Sequence, residues 1–420
     1  MFDLDKWQEI FQSLAQNKLR TFLTAFGVFW AIFMIVIMIG AANGLEAGAT
    51  TQFSGSATNS VFMWSRETTK PYQGLKAGRR VRMTTEDYEA LKRELPEAKY
   101  IAPRNQLGGY RGGENVMRKG KSGAFGVYGD MPIIASIESL LLEEGRFINE
   151  MDIQDKRKTC VIGKRVKELL FESDEEAIGE YIRIQGVYFK VIGVFKTKKK
   201  GDEAEESTQN IYIPFTTYQQ AFNNGNRIGW FAMTSQDGLP ASIMEDRAVE
   251  IIKSRHKVHP DDNRAVGHFN LEQEYQQITN VFFGIRTLGW FVGLLTLIAG
   301  AIGVSNIMLV IVKERTKEFG IRRAIGAKPA GIFFQIVLES VVLTGVAGYL
   351  GLVVGLSLIE SIAYAINEQG VELGMFGAPY IDVQLAIQAL VVLIISGVLA
   401  GILPAVRALS VTPVEALRAE

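Results

Sequence analysis

Few residues in this chain of 420 could do chemistry. Gly120-Lys121-Ser122 has the ending of a phosphate-binding loop, whose backbone amides cradle a nucleotide and whose Lys reaches the outer phosphates. Such a loop needs a glycine five residues before Gly120, and that position holds Asn115. No strand-turn-helix pattern surrounds it, so no nucleotide site is expected. His256 and His259 have the spacing of two zinc ligands, but Pro260 follows at once and His268 is not spaced to add a third. That segment reads as a surface loop. Cys160 is the only cysteine, which rules out an intrachain disulfide. It sits in the apolar, β-like run TCVIG and reads as a small buried hydrophobe rather than a nucleophile. The acidic pairs Glu143–Glu144 and Asp261–Asp262 lie in turn-like contexts, and no G-x-S-x-G turn is present. No catalytic, cofactor-binding or metal-ligating residue is assigned.

One patterned cluster of charge remains, KERTKEFGIRRAIGAK at Lys313–Lys328. Lys313, Arg315, Lys317, Arg322, Arg323 and Lys328 are opposed only by Glu314 and Glu318. Long apolar segments flank it on both sides. Lys and Arg in short loops are retained on the cytoplasmic side of a membrane, so this loop is expected there. Phe319, Ile321, Ala324 and Ile325 interleave with the charges at roughly helical spacing. The expectation is a short amphipathic helix at the inner membrane face with another protein docked on it.

The elements around the loop follow from composition. Acidic and basic residues balance at 45 each, so charge suggests no nucleic-acid partner. Hydrophobic residues make up 48% of the chain and charged residues 21%, a mixture expected of apolar spans joined to a polar domain. Residues 1–20 carry Trp7, Ile10, Phe11 and Leu14 on one helical face and read as an interfacial helix against the inner leaflet. Residues 21–45 form a first span, its apolar run longer than a signal-peptide core. Residues 271–312 start as a polar helix and become the second span, a continuous stalk. Residues 313–330 are the basic loop and 331–366 the third span. Residues 367–383 are a short acidic outer loop, 384–404 the fourth span and 405–420 a cytoplasmic tail. Both termini are then cytoplasmic, in a multi-pass bacterial inner-membrane protein.

Residues 46–270 form the large extracytoplasmic domain. Strands are expected at 61–65, 100–103, 159–163, 181–184, 187–195, 210–215 and 230–235. Helices follow at Thr84–Leu95 and Pro240–His256, the first capped by Thr84 or Thr85, with a further strand near 265–271. Two βαβ-like units therefore bracket an insertion at about 105–228. The fold class is a four-span membrane protein with an α+β domain of two lobes, a porter-like base and an inserted lobe. The charge run Lys196–Glu206 reads as a solvated loop. Gly351-x-x-x-Gly355, Gly397-x-x-x-Gly401 and Ala299-x-x-x-Gly303 permit close helix packing. Glu339 and Glu360 lie near the ends of the third span, where snorkelling suffices, and no charge relay crosses the bilayer.

Specific motifs add a resemblance. ERTKEFGIRRAIGAKPAGIFFQIVLES (314–340) resembles the loop and third-span start of the MacB/LolC/LolE/FtsX-type ABC transporter permeases, with their pattern ERxxEIGIRKALGA followed by an apolar span ending in E[AS]. The tail PAVRALSVTPVEALRAE is similar to that family's PAxxAxxxxPxEALR, and NKLRTFLTAFGV (17–28) to its first-span start. Residues 145–171 and 177–195 resemble its extracytoplasmic domain. The resemblance implies a dimer with a second copy or a paralogue, and a cytoplasmic ABC ATPase that binds the ATP. The loop after the second span becomes a coupling helix, with Glu314, Arg315, Glu318, Arg322 and Arg323 facing the ATPase. The best-known member carries its ATPase on the same chain, whereas these residues hold none, which implies a separate ATPase and a non-enzymatic permease. Function would be mechanotransmission, in which ATP use inside moves the domain outside to export or extract a peptide, drug or lipidated cargo. A periplasmic adaptor and an outer-membrane channel are the further partners of an efflux system. The alternative is an FtsX-like transducer that regulates a cell-wall hydrolase, for which the extracytoplasmic segment is long.

Overall fold

A computed structural model describes residues 18–51, 53, 56–109, 112–172, 175–199, 201–368 and 376–410. Residues 1–17 of the expected interfacial helix over 1–20 lie outside them, as do 369–375 of the outer loop and the tail beyond Ser410. In chain order the elements are α1 (Lys18–Thr51), β1 (Ser60–Ser65), α2 (Thr85–Glu94), β2 (Ala98–Leu107), β3 (Val116–Arg118), β4 (Lys121–Gly123), β5 (Gly126–Asp130), α3 (Ile134–Ile137), β6 (Leu141–Gly145), α4 (Glu150–Gln154), β7 (Thr159–Gly163) and α5 (Lys164–Leu170). They continue with β8 (Tyr181–Ile184), β9 (Val187–Lys196), α6 (Gly201–Thr208), β10 (Asn210–Pro214), α7 (Phe215–Ala221), β11 (Trp230–Ser235), α8 (Ala241–Arg255), β12 (Val266–Asn270), α9 (Leu271–Glu314), α10 (Thr316–Ala324), α11 (Pro329–Glu368) and α12 (Val383–Ser410). The chain divides into two units, Thr50–Ile278 and the two flanking stretches together.

In the Thr50–Ile278 unit, apolar alternation along β1 and β11 buries Val61, Met63, Phe231 and Met233 under α2 and α8. β1 pairs antiparallel with both β11 and β12, and β11 pairs antiparallel with β2. The base order is therefore β12-β1-β11-β2, in which each βαβ unit is split by a strand of the other. β2 belongs to both lobes: Ala98–Arg104 pairs with β11, and Asn105–Leu107 pairs with β5 of the insertion. The inserted lobe has its own core, in which Cys160 is fully buried with Ile162, Phe189 and Val191. Burial pushes the Cys160 thiol well above its usual range, as fits a packing residue.

Where β2 changes partner, Arg104 is buried and bonds Asp130 of β5 (Nε to Oδ1, 2.8 Å) and Glu138. Its guanidinium lies 5.0 Å from the Tyr128 ring and 5.4 Å from Trp230, and Tyr212 donates to Glu138 at 2.5 Å. The guanidinium thus has two carboxylates and two aromatic rings around it at the joint between the lobes. The insertion also differs from expectation. Strands β3 to β6 are not apparent from the sequence because they are three to five residues long and carry Arg, Lys, Asp and Glu. Part of the expected solvated loop at 196–206 is α6, since Ala204, Glu205 and Glu206 are good helix formers and Thr208 Oγ1 donates to the Ala204 carbonyl (2.7 Å).

The other unit contains α1, α11, α12 and most of α9. These four helices are long and apolar enough to cross a membrane. At 44 residues α9 is about 66 Å long, twice the hydrocarbon thickness, so it extends beyond any span. Asn270 starts it by accepting the Gln273 N–H (3.1 Å). Further along, Arg286 ties α9 to α1 through Glu46 (2.9 Å) and Asn43 (3.3 Å).

Asp87 joins the two helices of the base lobe. It accepts from Thr84 N–H (2.8 Å), which makes Thr84 the cap of α2, and lies 2.8 Å from both Arg255 Nε and His256 Nε2 at the end of α8. Burial pushes this carboxyl up, but the hydrogen bonds from His256 and Arg255 outweigh it and hold it at about 2. A carboxyl lowered on folding stabilises above its unfolded value near 4 and loses that contribution as pH falls through its folded one. Asp87→Asn is expected to cost about 2 kcal/mol at neutral pH. Thermal unfolding of both proteins as the pH is lowered below 5 should show the gap closing; a gap independent of pH would remove Asp87 from this role.

Candidate functional site

α9 ends without Gly or Pro. Arg315 leaves the helical region (φ −94°, ψ 10°) and becomes the cap of α10, while its N–H still donates to Ile311 O (2.9 Å). Thr316 Oγ1 donates back to Val312 O (3.0 Å), a contact that bends helices. The far end is built differently. Gly326 takes φ 97°, its N–H donates to Arg323 O (3.1 Å), and Ala327 N–H donates to Arg322 O (2.9 Å). This pair of bonds with a left-handed glycine closes a helix firmly, and Pro329 then opens α11. α10 is thus a short rod between two stops.

Its two faces differ. Arg315, Glu318, Phe319 and Arg322 follow the i, i+3, i+4, i+7 spacing of one face. Phe319 is buried, with the Arg315 guanidinium 5.1 Å from its ring. Arg315 grips Glu318 with two bonds (2.8 and 3.0 Å) and reaches Glu339 of α11 (3.2 Å). Glu318 also pairs with Arg322 (2.6 Å), whose Nη1 donates to Gln335 of α11 (3.2 Å). Arg323 donates to the Leu409 carbonyl in the last turn of α12 (2.9 Å). Glu339 is 4% exposed, so it does not snorkel as expected; it is a buried carboxylate answered by Arg315.

This geometry changes the reading of the expected docking set. Of Glu314, Arg315, Glu318, Arg322 and Arg323, only Glu314 is exposed; the other four bond within the helical unit. The exposed residues are instead Lys313 at the end of α9, Lys317 and Ile321 on α10, and Ile325 and Lys328 after it. Ile321 is 46% and Ile325 81% exposed, so α10 does not gather its apolar residues on one side as expected. Lys317, Ile321 and Ile325 follow an i, i+4, i+8 stripe, a signal present in the sequence but masked there by counting charges without assigning faces. The site can present a cationic rim around two apolar side chains. It has no group placed for covalent chemistry.

The glycines set how closely the spans approach. A Cβ on Gly351 would stand 2.4 Å from the Phe29 carbonyl oxygen, and one on Gly355 2.8 Å from Val36 Cγ1, both on α1. A Cβ on Gly397 would meet Thr344 Oγ1 at 2.3 Å, and one on Gly401 Val337 Cα at 2.9 Å, both on α11. In the second span only one member of the expected Ala299–Gly303 pair lies on the seam: a Cβ on Gly303 would stand 3.4 Å from Thr24 Cγ2 of α1. Ala299 is exposed, and Gly293 and Gly300 approach Ile35 and Val28 of α1.

The family model described as the MacB-like periplasmic core domain matches residues 21–248, more than half of the chain. A second, the FtsX-like permease C-terminal model, matches 290–413. The macrolide export ATP-binding/permease protein MacB of Bdellovibrio bacteriovorus is 27% identical over 411 residues, covering 98% of this chain and 61% of its own length. The pyoverdine export ATP-binding/permease protein PvdT of Pseudomonas entomophila is 27% identical over 412 residues, covering 96% and 58%. The chain spans about three-fifths of the length of the curated relatives it matches. The crystal structure of the periplasmic region of MacB from Actinobacillus actinomycetemcomitans covers 54% of this chain and 95% of its own, at 20% identity and a TM-score of 0.43.

Helices this close cannot admit a side chain. Gly351→Val is expected to destabilise by about 1–3 kcal/mol, because the obstructing atom is backbone and cannot rotate away. Gly345 has nothing within 4 Å of its would-be Cβ, so Gly345→Ala should change stability by less than about 1 kcal/mol. Thermal loss of the monodisperse peak in size-exclusion chromatography compares the two. Equal losses would show that close approach does not hold α11 to α1.

Proposed function

The chain belongs to the family of MacB-like permeases with an FtsX-like C-terminal part, and from that premise we propose that it is the transmembrane subunit of an ABC exporter driven by a separate cytoplasmic ATPase. ATP binding and hydrolysis on the partner would push on α10, and the spans would carry the movement to the extracytoplasmic domain. The termini would be cytoplasmic and the working unit a dimer, of two copies or of paralogues. The cargo would be a compound exported or extracted from the periplasmic side, a peptide, drug or lipidated molecule. The two relatives' names specify macrolide and pyoverdine export, which favours export over regulation of a cell-wall hydrolase. A periplasmic adaptor and an outer-membrane channel complete the proposed efflux route.

The observation that carries this reading is the outward face of α10. Ile321 and Ile325 are exposed large apolar side chains on one stripe with Lys317, and Lys313 and Lys328 are exposed before and after them in the chain. An apolar anchor inside a cationic rim suits a partner groove with an acidic edge. The inward arginines hold α10 in place and take no part in docking.

Lys317→Glu combined with Ile325→Asp should abolish co-purification with a P-loop ATPase, while the protein still inserts and elutes as one species. Arg322→Glu with Arg323→Glu should instead lower thermal stability, since those side chains bond Gln335 and the Leu409 carbonyl. Normal ATPase capture by the Lys317→Glu, Ile325→Asp protein would refute the docking face.

A further inference from the structure

Five side chains from two helices close a ring. Arg315 bonds Glu318, Glu318 bonds Arg322, Arg322 bonds Gln335, Gln335 Nε2 donates to Glu339 (3.4 Å), and Glu339 accepts from Arg315. Three members sit on α10 and two on α11. The ring is anchored at its least accessible point, where Glu339 lies buried among the apolar side chains of α11. The next residue, Ser340, is fully buried where α12 crosses, facing the position a Cβ on Gly401 would take (2.9 Å). Arg323 fixes the other end of the same crossing by holding the Leu409 carbonyl.

From this we infer that Glu339 is a positioning residue that makes α10, α11 and α12 one rigid body. The inference rests on reading α10 as the docking helix, but the ring itself is a property of this chain alone. Pulling Arg315 away would leave a carboxylate uncompensated inside the bundle, which is far costlier than bending a loop. α10 therefore cannot tilt on its own linkers. A push on Ile321 and Ile325 is passed to the third and fourth spans at the level of Glu339 and Ser340. Glu318 and Gln335 serve to hold the two arginines in register, which a lone Arg315–Glu339 pair would not do.

The test separates rigidity from folding. Replacing both partners of a buried ion pair by apolar residues preserves stability far better than removing one, so Arg315→Met with Glu339→Leu is the informative variant. Cys160 is replaced by Ala, and nitroxide labels are placed at positions 317 and 346, both exposed in the native protein. The full chain is reconstituted in phosphatidylethanolamine–phosphatidylglycerol nanodiscs, and the inter-label distance is measured by pulsed electron resonance. The native ring should give a narrow distribution, and the double variant one at least twofold wider at an unchanged melting temperature. Glu339→Gln, which keeps hydrogen-bonding capacity, should stay narrow or widen less. An unchanged width in the double variant would overturn the inference. Because no ATPase is present, that outcome is independent of docking, whose failure is read from ATPase capture by the Lys317→Glu, Ile325→Asp protein.

Discussion

A helix in hydrocarbon gains nothing by exchanging a lipid tail for another leucine, so the four-helix unit cannot be held by the force that folds a water-soluble domain. What holds it is close approach and polar contact. Gly351 lets α11 lie against the backbone of α1, and Gly397 and Gly401 let α12 lie against α11. The same constraint makes each buried charge expensive, and it explains why Glu339 is met both by Arg315 at the start of α10 and by Gln335 of α11. The Thr50–Ile278 unit works by the opposite rule. Its strands bury alternating Val, Met, Ile and Phe against water, and a buried arginine, Arg104, sits where β2 passes from one lobe to the other.

Much of this was legible in the sequence because period and punctuation are local. The spans announce themselves by uncharged length. TCVIG and YIRI coincide with β7 and β8, and WFAMTS with β11. Thr84 marks the start of α2, while Gly326 and Pro329 mark the end of α10 and the start of α11. The paired βαβ layout was visible as two repeats of strand, helix and strand. Their interleaving was not, since nothing in β1 or β2 encodes that β11 inserts between them from more than a hundred residues away. Strands β3 and β4 escaped for another reason. VMR and KSG are strands because of their neighbours, and three residues carry no period.

The basic segment was legible as a short helix, but its faces were not. Counting its charges correctly picks it out but says nothing about which way each points. Arg315 and Lys317 contribute equally to that count, yet one is engaged with Glu339 and the other faces outward. The missing information is the acidic partner, which lies in the next helix. Glu339 was legible as a charge near the end of a span, and snorkelling was the economical reading for it. Burial and the bond from Arg315 close that route.

The chemistry of arginine explains why the inward positions are arginines and the outward ones lysines. A planar guanidinium can fork one carboxylate and still reach a second, as Arg315 does with Glu318 and Glu339, and it stays charged when buried. A lysine at 315 could offer a point charge to one carboxylate but could not span both at fixed geometry. On the outer face no such geometry is needed, and the hydrated ammonium groups of Lys313, Lys317 and Lys328 keep an exposed surface soluble around Ile321 and Ile325. The division of Arg inward and Lys outward over one short helix is therefore what a part with two jobs requires: a rigid seat on one side and a replaceable contact on the other.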